Sequence, residues 1–293
     1  MAKRILVTGA NGQLGSELQY IIKNQKSNIE NHDFYFTDRT TLDITDKDAI
    51  EDFCTQNNIK IIINCAAYTA VDKAESDETM AYAINHKAVE TLAHIAKAKN
   101  IALVQISTDY VFDGSNFKPY VENDVTNPQS VYGASKLAGE EAIFSINPSN
   151  SVIIRTSWVY SSFGNNFVKT MLRLGKERDT LGVIFDQVGT PTYARDLAAA
   201  ILAIVPQLDN REAEVYHYSN EGVCSWYDFA KAIFEMKQID CKVDAIETKA
   251  YPTPATRPHY SLLNKAKIKE AYSITIPYWR DALKEALTIM END

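Results

Sequence analysis

Tyr132 and Lys136 are residues whose types and spacing could carry out proton chemistry. They stand in the segment SVYGASKLAGEEA, residues 130–142, and a spacing of four places both side chains on one face of a helix. A tyrosine hydroxyl can donate a proton, and a lysine ammonium one turn away should lower its pKa. Tyr227 and Lys231 have the same spacing, however, and about one such pair is expected by chance in a chain with 16 tyrosines. The spacing alone therefore does not identify an active site.

Thr108 distinguishes the first pair from the second. The segment ALVQIS, residues 102–107, predicts a buried strand, so the polar residues that follow it emerge at the carboxyl end of that strand. The helix carrying Tyr132 begins about 20 residues later, whereas Tyr227 has no comparable hydroxyl companion. We therefore expect Thr108, Tyr132 and Lys136 to form a catalytic set. The same strand end also carries Ser107, Asp109 and Tyr110.

A glycine-rich turn at the start of the chain predicts a dinucleotide site. In VTGANGQLG, residues 7–15, Gly9, Gly12 and Gly15 follow a predicted strand and precede a predicted helix. Glycines at these positions permit a tight turn and close approach of a pyrophosphate to the backbone. The free N–H groups of the helix N-terminus then face the phosphates. The turn also contains Asn11, Gln13 and Leu14, which we expect to contact the cofactor.

The residues at the end of the second predicted strand leave the choice of cofactor open. Asp38 could hydrogen-bond the adenosine ribose hydroxyls, which would favour NAD, whereas the adjacent Arg39 could receive the 2′-phosphate of NADP. A surface ion pair at a strand end is the alternative interpretation. Small residues after the third strand could let the backbone approach the cofactor, although close packing explains them equally well. The further cofactor candidates are Asp43, Ile44, Ala66, Ala67, Tyr68 and Thr69.

Alternation of short apolar runs with helical patterns predicts an α/β fold, a Rossmann-type doubly wound parallel sheet with a smaller C-terminal substrate-binding region. Such sheets bind ligands beyond the carboxyl ends of their strands. The strand candidates are residues 4–8, 34–38, 61–64, 102–107, 152–156 and 182–185. The helix candidates between them are residues 13–24, 46–57, 79–99, 132–146 and 165–177.

The pattern loosens from about residue 187. We expect residues 1–186 to form the NAD(P)-binding domain and residues 187–293 a smaller mixed α/β substrate-binding region, although a helix at 195–205 could still pack on the large sheet. The smaller region contains a strand candidate at 214–219, a helix from Ser225 to Met236 and a proline-bearing loop at 251–261.

Composition limits the function classes. The net charge of −8 argues against a nucleic-acid binder, which needs a basic face against phosphate. The four cysteines show no C-x-x-C pair, which is typical of free thiols in a reducing compartment. The first apolar run is too short for a signal peptide, and no apolar stretch approaches the ~20 residues of a membrane span. These features predict a cytoplasmic protein with a small-molecule substrate and no nucleic-acid or membrane partner.

The combination of the glycine turn, Thr108 and Tyr132/Lys136 resembles the extended short-chain dehydrogenase/reductase superfamily. Longer segments resemble one of its families, the dTDP-4-dehydrorhamnose reductases. These segments are NCAAYTAVDKAE, ISTDYVFDG, VYGASKLAGE, RTSWVY, GNNFVKTML, DQVGTPT and RPHYSLL. The resemblance implies reduction of the C4 ketone of dTDP-4-dehydro-6-deoxy-L-mannose to dTDP-L-rhamnose by NADPH or NADH.

The resemblance also implies roles for individual residues. Tyr132 would protonate the developing alkoxide, Lys136 would bind the nicotinamide ribose, and Thr108 would hydrogen-bond the carbonyl oxygen. Trp158 matches a pocket position, although a core aromatic is an equal alternative, and Arg257 is a candidate diphosphate contact. The substrate-binding candidates are Thr108, Asp109, Tyr110, Trp158, Asn165, Asn166 and Arg257.

The sequence departs from related patterns at two positions. Sugar-nucleotide 4,6-dehydratases of the superfamily follow Thr-Asp with a Glu, where this chain has Tyr110, which argues against elimination chemistry. Some rhamnose-pathway reductases bridge a dimer through Mg²⁺, and Glu17 matches one of their acidic ligands. Where the further acid would fall, this chain has Arg195 followed by Asp196, and a positive charge argues against a metal site there. Monomer and homodimer both remain open.

Two other functions also remain open. The chain could reduce another nucleotide-linked 4-keto sugar. It could also be a non-catalytic relative that acts as a regulatory subunit, like the one found in methionine adenosyltransferase complexes. A purely regulatory chain has no chemical need for Thr108, Tyr132 and Lys136 together.

Overall fold

The computed structural model describes residues 3–24 and 32–290, so the outermost ends of both predicted domains lie outside the described residues. The strands are β1 Arg4–Thr8, β2 Asp33–Phe36, β3 Ile61–Asn64, β4 Ala102–Thr108, β5 Ser151–Thr156, β6 Val159–Tyr160, β7 Thr180–Ile184, β8 Val188–Gly189, β9 Thr192–Tyr193, β10 Glu214–His217, β11 Cys224–Ser225 and β12 Lys242–Ile246. The helices are α1 Gln13–Asn24, α2 Lys47–Gln56, α3 Val71–Ala74, α4 Glu78–Tyr82, α5 Ala88–Lys99, α6 Val131–Ile146, α7 Phe167–Glu177, α8 Ala194–Ile204, α9 Trp226–Lys237, α10 Ala266–Tyr272 and α11 Trp279–Ile289.

A six-stranded parallel sheet forms the centre of the molecule, in the order β10-β5-β4-β3-β1-β2. Its inner strands are apolar runs without alternation, and all four residues of β3 are buried. Such strands form because helices cover both faces of the sheet. The strand order reverses between β1 and β3, and a doubly wound sheet binds its ligands at such a point. The predicted fold class is confirmed.

Helices from different parts of the chain bury the two faces of this sheet. On one face, Leu18 of α1 and Ile201 of α8 share a core with Ile5 and Ile63 of the sheet. On the other face, α2, α5 and α6 pack on the sheet around a second apolar core that includes Leu92. The helix predicted at 195–205 therefore packs on the large sheet. The long helix predicted at 79–99 is interrupted by a π-helical turn at Ala83–Lys87.

Two strand candidates form strands, but their placement differs from the expectation. The segment predicted at 182–185 overlaps β7, which pairs in parallel with β12 outside the central sheet. The segment predicted at 214–219 contains β10, which pairs with β5 and is the sixth strand of the central sheet. Burial explains both differences, because β7 alternates between exposed and buried residues, whereas the last three residues of β10 are all buried. The division of function near residue 187 stays a prediction.

A third apolar core lies beside the sheet. It joins α7, α9, α11, β7 and β12 through residues such as Phe229, Ile233, Val243 and Leu283. Helix α9 begins at a capping box, in which Ser225 and Asp228 each accept a hydrogen bond from the backbone of the other. No helix within the described ranges combines the length and apolar character that crossing a membrane requires.

Candidate active site

A cleft of about 1020 Å³ opens beyond the carboxyl ends of the sheet strands. It brings together nineteen of the predicted site residues, from the glycine turn to the aromatic residues of the second half. They are Gly9, Asn11, Gly12, Gln13, Leu14, Asp38, Arg39, Asp43, Ile44, Ala66, Ala67, Thr69, Thr108, Asp109, Tyr110, Tyr132, Lys136, Trp158 and Asn165.

The glycine turn is closed by contacts that leave no room for side chains. Gly9 has φ +64°, and a Cβ atom there would lie 2.6 Å from the backbone nitrogen of Ala66. A Cβ atom on Gly15 would lie 2.5 Å from the carbonyl oxygen of Gly9. Helix α1 begins at Gln13, between Gly12 and Gly15, and its first two residues, Gln13 and Leu14, line the cleft. The arrangement can hold a pyrophosphate against the backbone.

Asp38 is held as a carboxylate at the end of β2. Its Oδ1 accepts hydrogen bonds from the Thr40 hydroxyl at 2.7 Å and the Thr41 amide at 3.0 Å, and its Oδ2 accepts one from Asn11 Nδ2 at 2.5 Å. Hydrogen bonds, chiefly that of the Thr40 hydroxyl, lower the pKa of Asp38 to about 2. The neighbouring Arg39 is 77% exposed and lies 3.6 Å from Asp43. A fixed carboxylate and an exposed guanidinium therefore flank this end of the cleft.

Tyr132 lies in the first turn of α6, which Ser130 caps by accepting a hydrogen bond from the amide of Gly133. The ring of Tyr132 meets that of Tyr110 edge to face at 5.5 Å. Burial raises the pKa of Tyr132 to about 12, and a hydrogen bond with Thr108 opposes the rise. We expected a pKa lowered by Lys136, and in this structure the opposite shift prevails because burial dominates. The phenol is consequently protonated at neutral pH.

Lys136 lies one turn further along α6 and is 4% exposed. Its Nζ donates a hydrogen bond to the carbonyl oxygen of Ile106 at 2.5 Å. Burial lowers the pKa of Lys136 to about 8, and the Glu140 carboxylate opposes that shift. Lys136 is therefore mostly an ammonium at neutral pH, and it is tied to β4.

Thr108 and Asp109 form a hydroxyl–carboxyl pair at the end of β4. Thr108 Oγ1 donates to Asp109 Oδ1 at 3.0 Å and accepts from the Tyr110 amide at 3.2 Å. Asp109 is 2% exposed, and its Oδ2 has no hydrogen-bond partner within the described part of the chain. Burial raises the pKa of Asp109 to about 7. A carboxyl group that is partly protonated near neutrality therefore borders the cleft.

An aromatic pair forms the wall contributed by the second half of the chain. Trp158 has φ +48°, a conformation that bulky residues rarely adopt, and its ring stacks on Trp226 at 3.7 Å and 12°. A Cβ atom on Gly189 would lie 3.0 Å from the Trp158 ring. Both rings line the cleft. The sequence allowed Trp158 to be either a core residue or a pocket residue. In the structure it is both, because it packs against the third apolar core and lines the cleft.

Four predicted site residues do not line the cleft. Gly15 packs against the turn, and the Tyr68 amide donates to Asn85 Oδ1 at 2.9 Å. Asn166 caps α7 and donates to Gln13 Oε1 at 3.0 Å. Arg257 binds Asp72 with two hydrogen bonds, of 2.9 and 2.8 Å. These residues support the walls or the rim of the cleft.

The competing pair lies elsewhere. Tyr227 packs against the third core, and Lys231 borders a separate surface depression with Phe234 and Glu235. Neither residue lines the cleft that contains Tyr132. The structure thus separates two pairs that the sequence spacing could not.

Comparison with known proteins identifies the family. The model described as RmlD substrate binding domain matches residues 3–292. The chain belongs to this family. A dTDP-4-dehydrorhamnose reductase of Aggregatibacter actinomycetemcomitans is 42% identical over 292 residues, which cover 96% of this chain and 97% of that protein. A dTDP-4-keto-6-deoxy-D-glucose reductase of Streptomyces niveus is 35% identical over 294 residues, covering 100% of this chain and 99% of that protein.

A solved structure of a dTDP-4-dehydrorhamnose reductase has the same fold. The crystal structure of dTDP-4-dehydrorhamnose reductase from Bacillus anthracis str. Ames in complex with NADP superimposes with a TM-score of 0.92. The two chains are 39% identical, and the match covers 99% of this chain and 100% of the other.

Glu17 has a cationic partner within the chain. It accepts hydrogen bonds from Arg195 Nε at 2.8 Å and Ser161 Oγ at 2.6 Å. The guanidinium of Arg195 also lies 4.0 Å from the ring centre of Tyr20. The charge of this carboxylate is therefore balanced by arginine.

Sequence reasoning missed several residues of the cleft wall. The sequence pattern places Trp226 only within a helix, and it places Met80 and Ile84 within the long helix predicted at 79–99. Met80 and Ile84 reach the cleft because α4 and the π-helical turn pack against α6, which carries Tyr132. Only this packing, which the sequence pattern does not show, identifies them. The missed lining residues are Cys65, Val71, Met80, Ala83, Ile84, Ile106, Thr156, Val159, Gly164, Leu197 and Trp226.

Proposed function

We propose that the chain reduces the C4 ketone of dTDP-4-dehydro-6-deoxy-L-mannose to dTDP-L-rhamnose, using NADPH or NADH. One observation carries the proposal: Thr108, Tyr132 and Lys136 line the same cleft as the glycine turn. Membership of the RmlD family and the names of its reductase relatives support the substrate.

The residues at one end of the cleft fit a nicotinamide dinucleotide, which supplies the hydride when bound. Gly9, Gly12 and the start of α1 would hold the pyrophosphate. Asp38 would accept from the adenosine ribose, and Arg39 would turn from Asp43 to a 2′-phosphate when one is present. With both groups at the cleft, the chain should accept both reduced cofactors.

Tyr132 would give the proton to the alkoxide oxygen formed at C4. Its raised pKa keeps the phenol protonated before the reaction, which is the state that a reductase requires. Thr108 would donate a hydrogen bond to the same oxygen as negative charge develops there. Lys136 would hold the nicotinamide ribose and stabilise the phenolate left after proton transfer.

The other end of the cleft would hold the nucleotide sugar. Asp109, Tyr110 and Asn165 offer polar groups, and the stacked rings of Trp158 and Trp226 offer an apolar wall. Arg257 would contact the diphosphate from the rim. In this proposal residues 1–186 supply most cofactor contacts, and residues 187–293 complete the substrate side.

The test follows NADPH and NADH oxidation with the dTDP-4-keto-6-deoxy-L-sugar made in situ. The proposal expects turnover with this sugar, and no turnover with either cofactor would overturn it in favour of a regulatory role. The alternative substrate to test is dTDP-4-keto-6-deoxy-D-glucose, because the Streptomyces niveus relative is named as a reductase of that sugar. A higher kcat/KM for that sugar would mean that the proposed reduction is right but that the proposed substrate is wrong. Light scattering of the same sample would decide between monomer and homodimer.

A further inference from the structure

Two buried clusters in this protein have the same chemical composition. In the first, Glu140 accepts a hydrogen bond from the Ser107 hydroxyl and three from Arg155, the shortest at 2.6 Å from Nη2. In the second, Glu17 accepts from Ser161 and Arg195. All the carboxylates and guanidinium groups involved are less than 10% exposed.

The first cluster adjoins the proposed catalytic set. Glu140 follows Lys136 by one turn of α6, so their side chains share a face of that helix. On β4, Ile106 accepts from Lys136 and the next residue, Ser107, donates to Glu140. Thr108 comes immediately afterwards. Two side chains of one helix therefore fix two consecutive residues of the strand that presents Thr108.

The charge of Glu140 also acts on Lys136. The hydrogen-bond acceptor of Lys136 Nζ is a neutral carbonyl group, which does not offset the loss of water around a buried ammonium. Glu140 is the charged group that opposes this effect of burial. The remaining groups close to this part of α6 are Tyr132, Asp109 and Arg155, while His86 of the π-helical turn interacts with Glu90 of α5 and with Glu141 instead.

We propose that Glu140 is a positioning residue, which keeps the neighbouring ammonium of Lys136 charged and, through Ser107, fixes the end of β4 that carries Thr108. The inference rests on the proposed function, because it gives Glu140 a purpose in the same reduction. Arg155 has the supporting task of satisfying the carboxylate without removing its charge.

Glu140→Gln tests the charge, and Glu17→Gln is the matched control. Both variants remove a buried carboxylate charge bonded to one Ser and one Arg, so both should lower the thermal midpoint. In Glu140→Gln alone, Lys136 should lose its proton at a lower pH. We expect kcat to fall about fivefold at pH 8 and to change little at pH 6. An identical pH profile in both variants would overturn the proposal.

A second readout needs neither substrate nor cofactor. The ε-carbon resonance of Lys136, assigned by its loss in Lys136→Met, can be titrated by ¹³C NMR in the unliganded protein. Its midpoint should move to lower pH in Glu140→Gln and stay in place in Glu17→Gln. If wild-type turnover is absent but the midpoint moves as expected, the proposed function fails while the charge effect stands.

Ser107→Ala decides the case if Glu140→Gln does not fold. It leaves both charges of the cluster in place and removes the hydrogen bond to β4. We expect kcat to fall while the Lys136 titration and the Kd for NADPH stay as in the wild type. An unchanged kcat in Ser107→Ala would overturn the positioning of β4.

Discussion

Arg257 and Asp72 form a bidentate ion pair at the rim of the cleft, with Nη1–Oδ1 at 2.9 Å and Nη2–Oδ2 at 2.8 Å. The pair joins the loop at residues 251–261 to α3, and Ala255 of the loop donates its amide to the same carboxylate at 3.3 Å. A planar guanidinium that binds a carboxylate in this manner can bind a diphosphate in the same manner. Asp72 is thus an internal competitor for the anion that Arg257 would bind.

Arg257→Met should raise the substrate KM about tenfold or more with little effect on kcat, because one charge-assisted contact is worth about 1.5–3 kcal/mol. Asp72→Asn should leave KM unchanged or lower it, since the competitor is weakened. Steady-state kinetics at saturating NADPH measure both. If Asp72→Asn raises KM as far as Arg257→Met does, the ion pair serves only as a structural link. The idea that the diphosphate displaces Asp72 from Arg257 would then be refuted.

Tyr132→Phe should reduce kcat by a factor of about 10²–10⁴, the usual contribution of a positioned proton donor. NADPH binding, followed by fluorescence titration, should survive because the ring remains. Tyr227→Phe is the matched control and should retain near-normal turnover. A comparable loss in the two variants would mean that the catalytic pair is misassigned.

Arg39→Ala should raise the KM for NADPH several-fold and leave that for NADH unchanged, since only NADPH carries the 2′-phosphate. Asp38→Asn should weaken the binding of NADH more than that of NADPH. Both cofactors lose the carboxylate as a hydrogen-bond acceptor, but NADPH also loses the repulsion between that carboxylate and its 2′-phosphate. Initial rates with each cofactor at fixed substrate decide the matter. Equal effects of Arg39→Ala on both cofactors would place the guanidinium away from the 2′ position.

Asp109 should make stability depend on pH. Its folded-state pKa of about 7 lies above the ordinary value of 3.8, so the folded chain binds more protons than the unfolded chain between these values. The free energy of unfolding contributed by this group therefore falls as pH rises from about 4 to 7. Asp109→Asn should remove that slope, as measured by urea unfolding at pH 5 and pH 7. If the free energy of unfolding differs between pH 5 and pH 7 by as much in Asp109→Asn as in the wild type, the raised pKa of Asp109 is contradicted.

Local signals were enough to predict that the glycine turn, Tyr132 and Lys136 share one cleft. The glycine turn, the strand before it and the Ser130-capped helix are each encoded within about a dozen residues, so the periodicities and end signals were sufficient. The same holds for the α/β fold class, because continuous apolar strands that alternate with helices are compatible with few architectures besides a covered parallel sheet.

Long-range partners could not be predicted in this way. Whether β7 or β10 joins the central sheet depends on what covers each strand, and that cover comes from elements far along the chain. Trp226 reaches the cleft only because α9 packs beside Trp158, and Arg257 faces Asp72 across 185 positions of sequence. The raised pKa of Tyr132 likewise follows from burial, which the spacing of Tyr132 and Lys136 does not encode.

The position of β10 at the edge of the sheet has a consequence for synthesis of the protein. The chain builds five strands, leaves the central sheet after β5, and returns only at Glu214–His217. A ribosome releases residues in order, and domains generally fold as units once their parts are available. The central sheet therefore stays incomplete until roughly three-quarters of the chain has been made. Cleavage near residue 187 would place β5 and its neighbour β10 on different fragments, and likewise α1 and α8. Both fragments would then have exposed apolar faces.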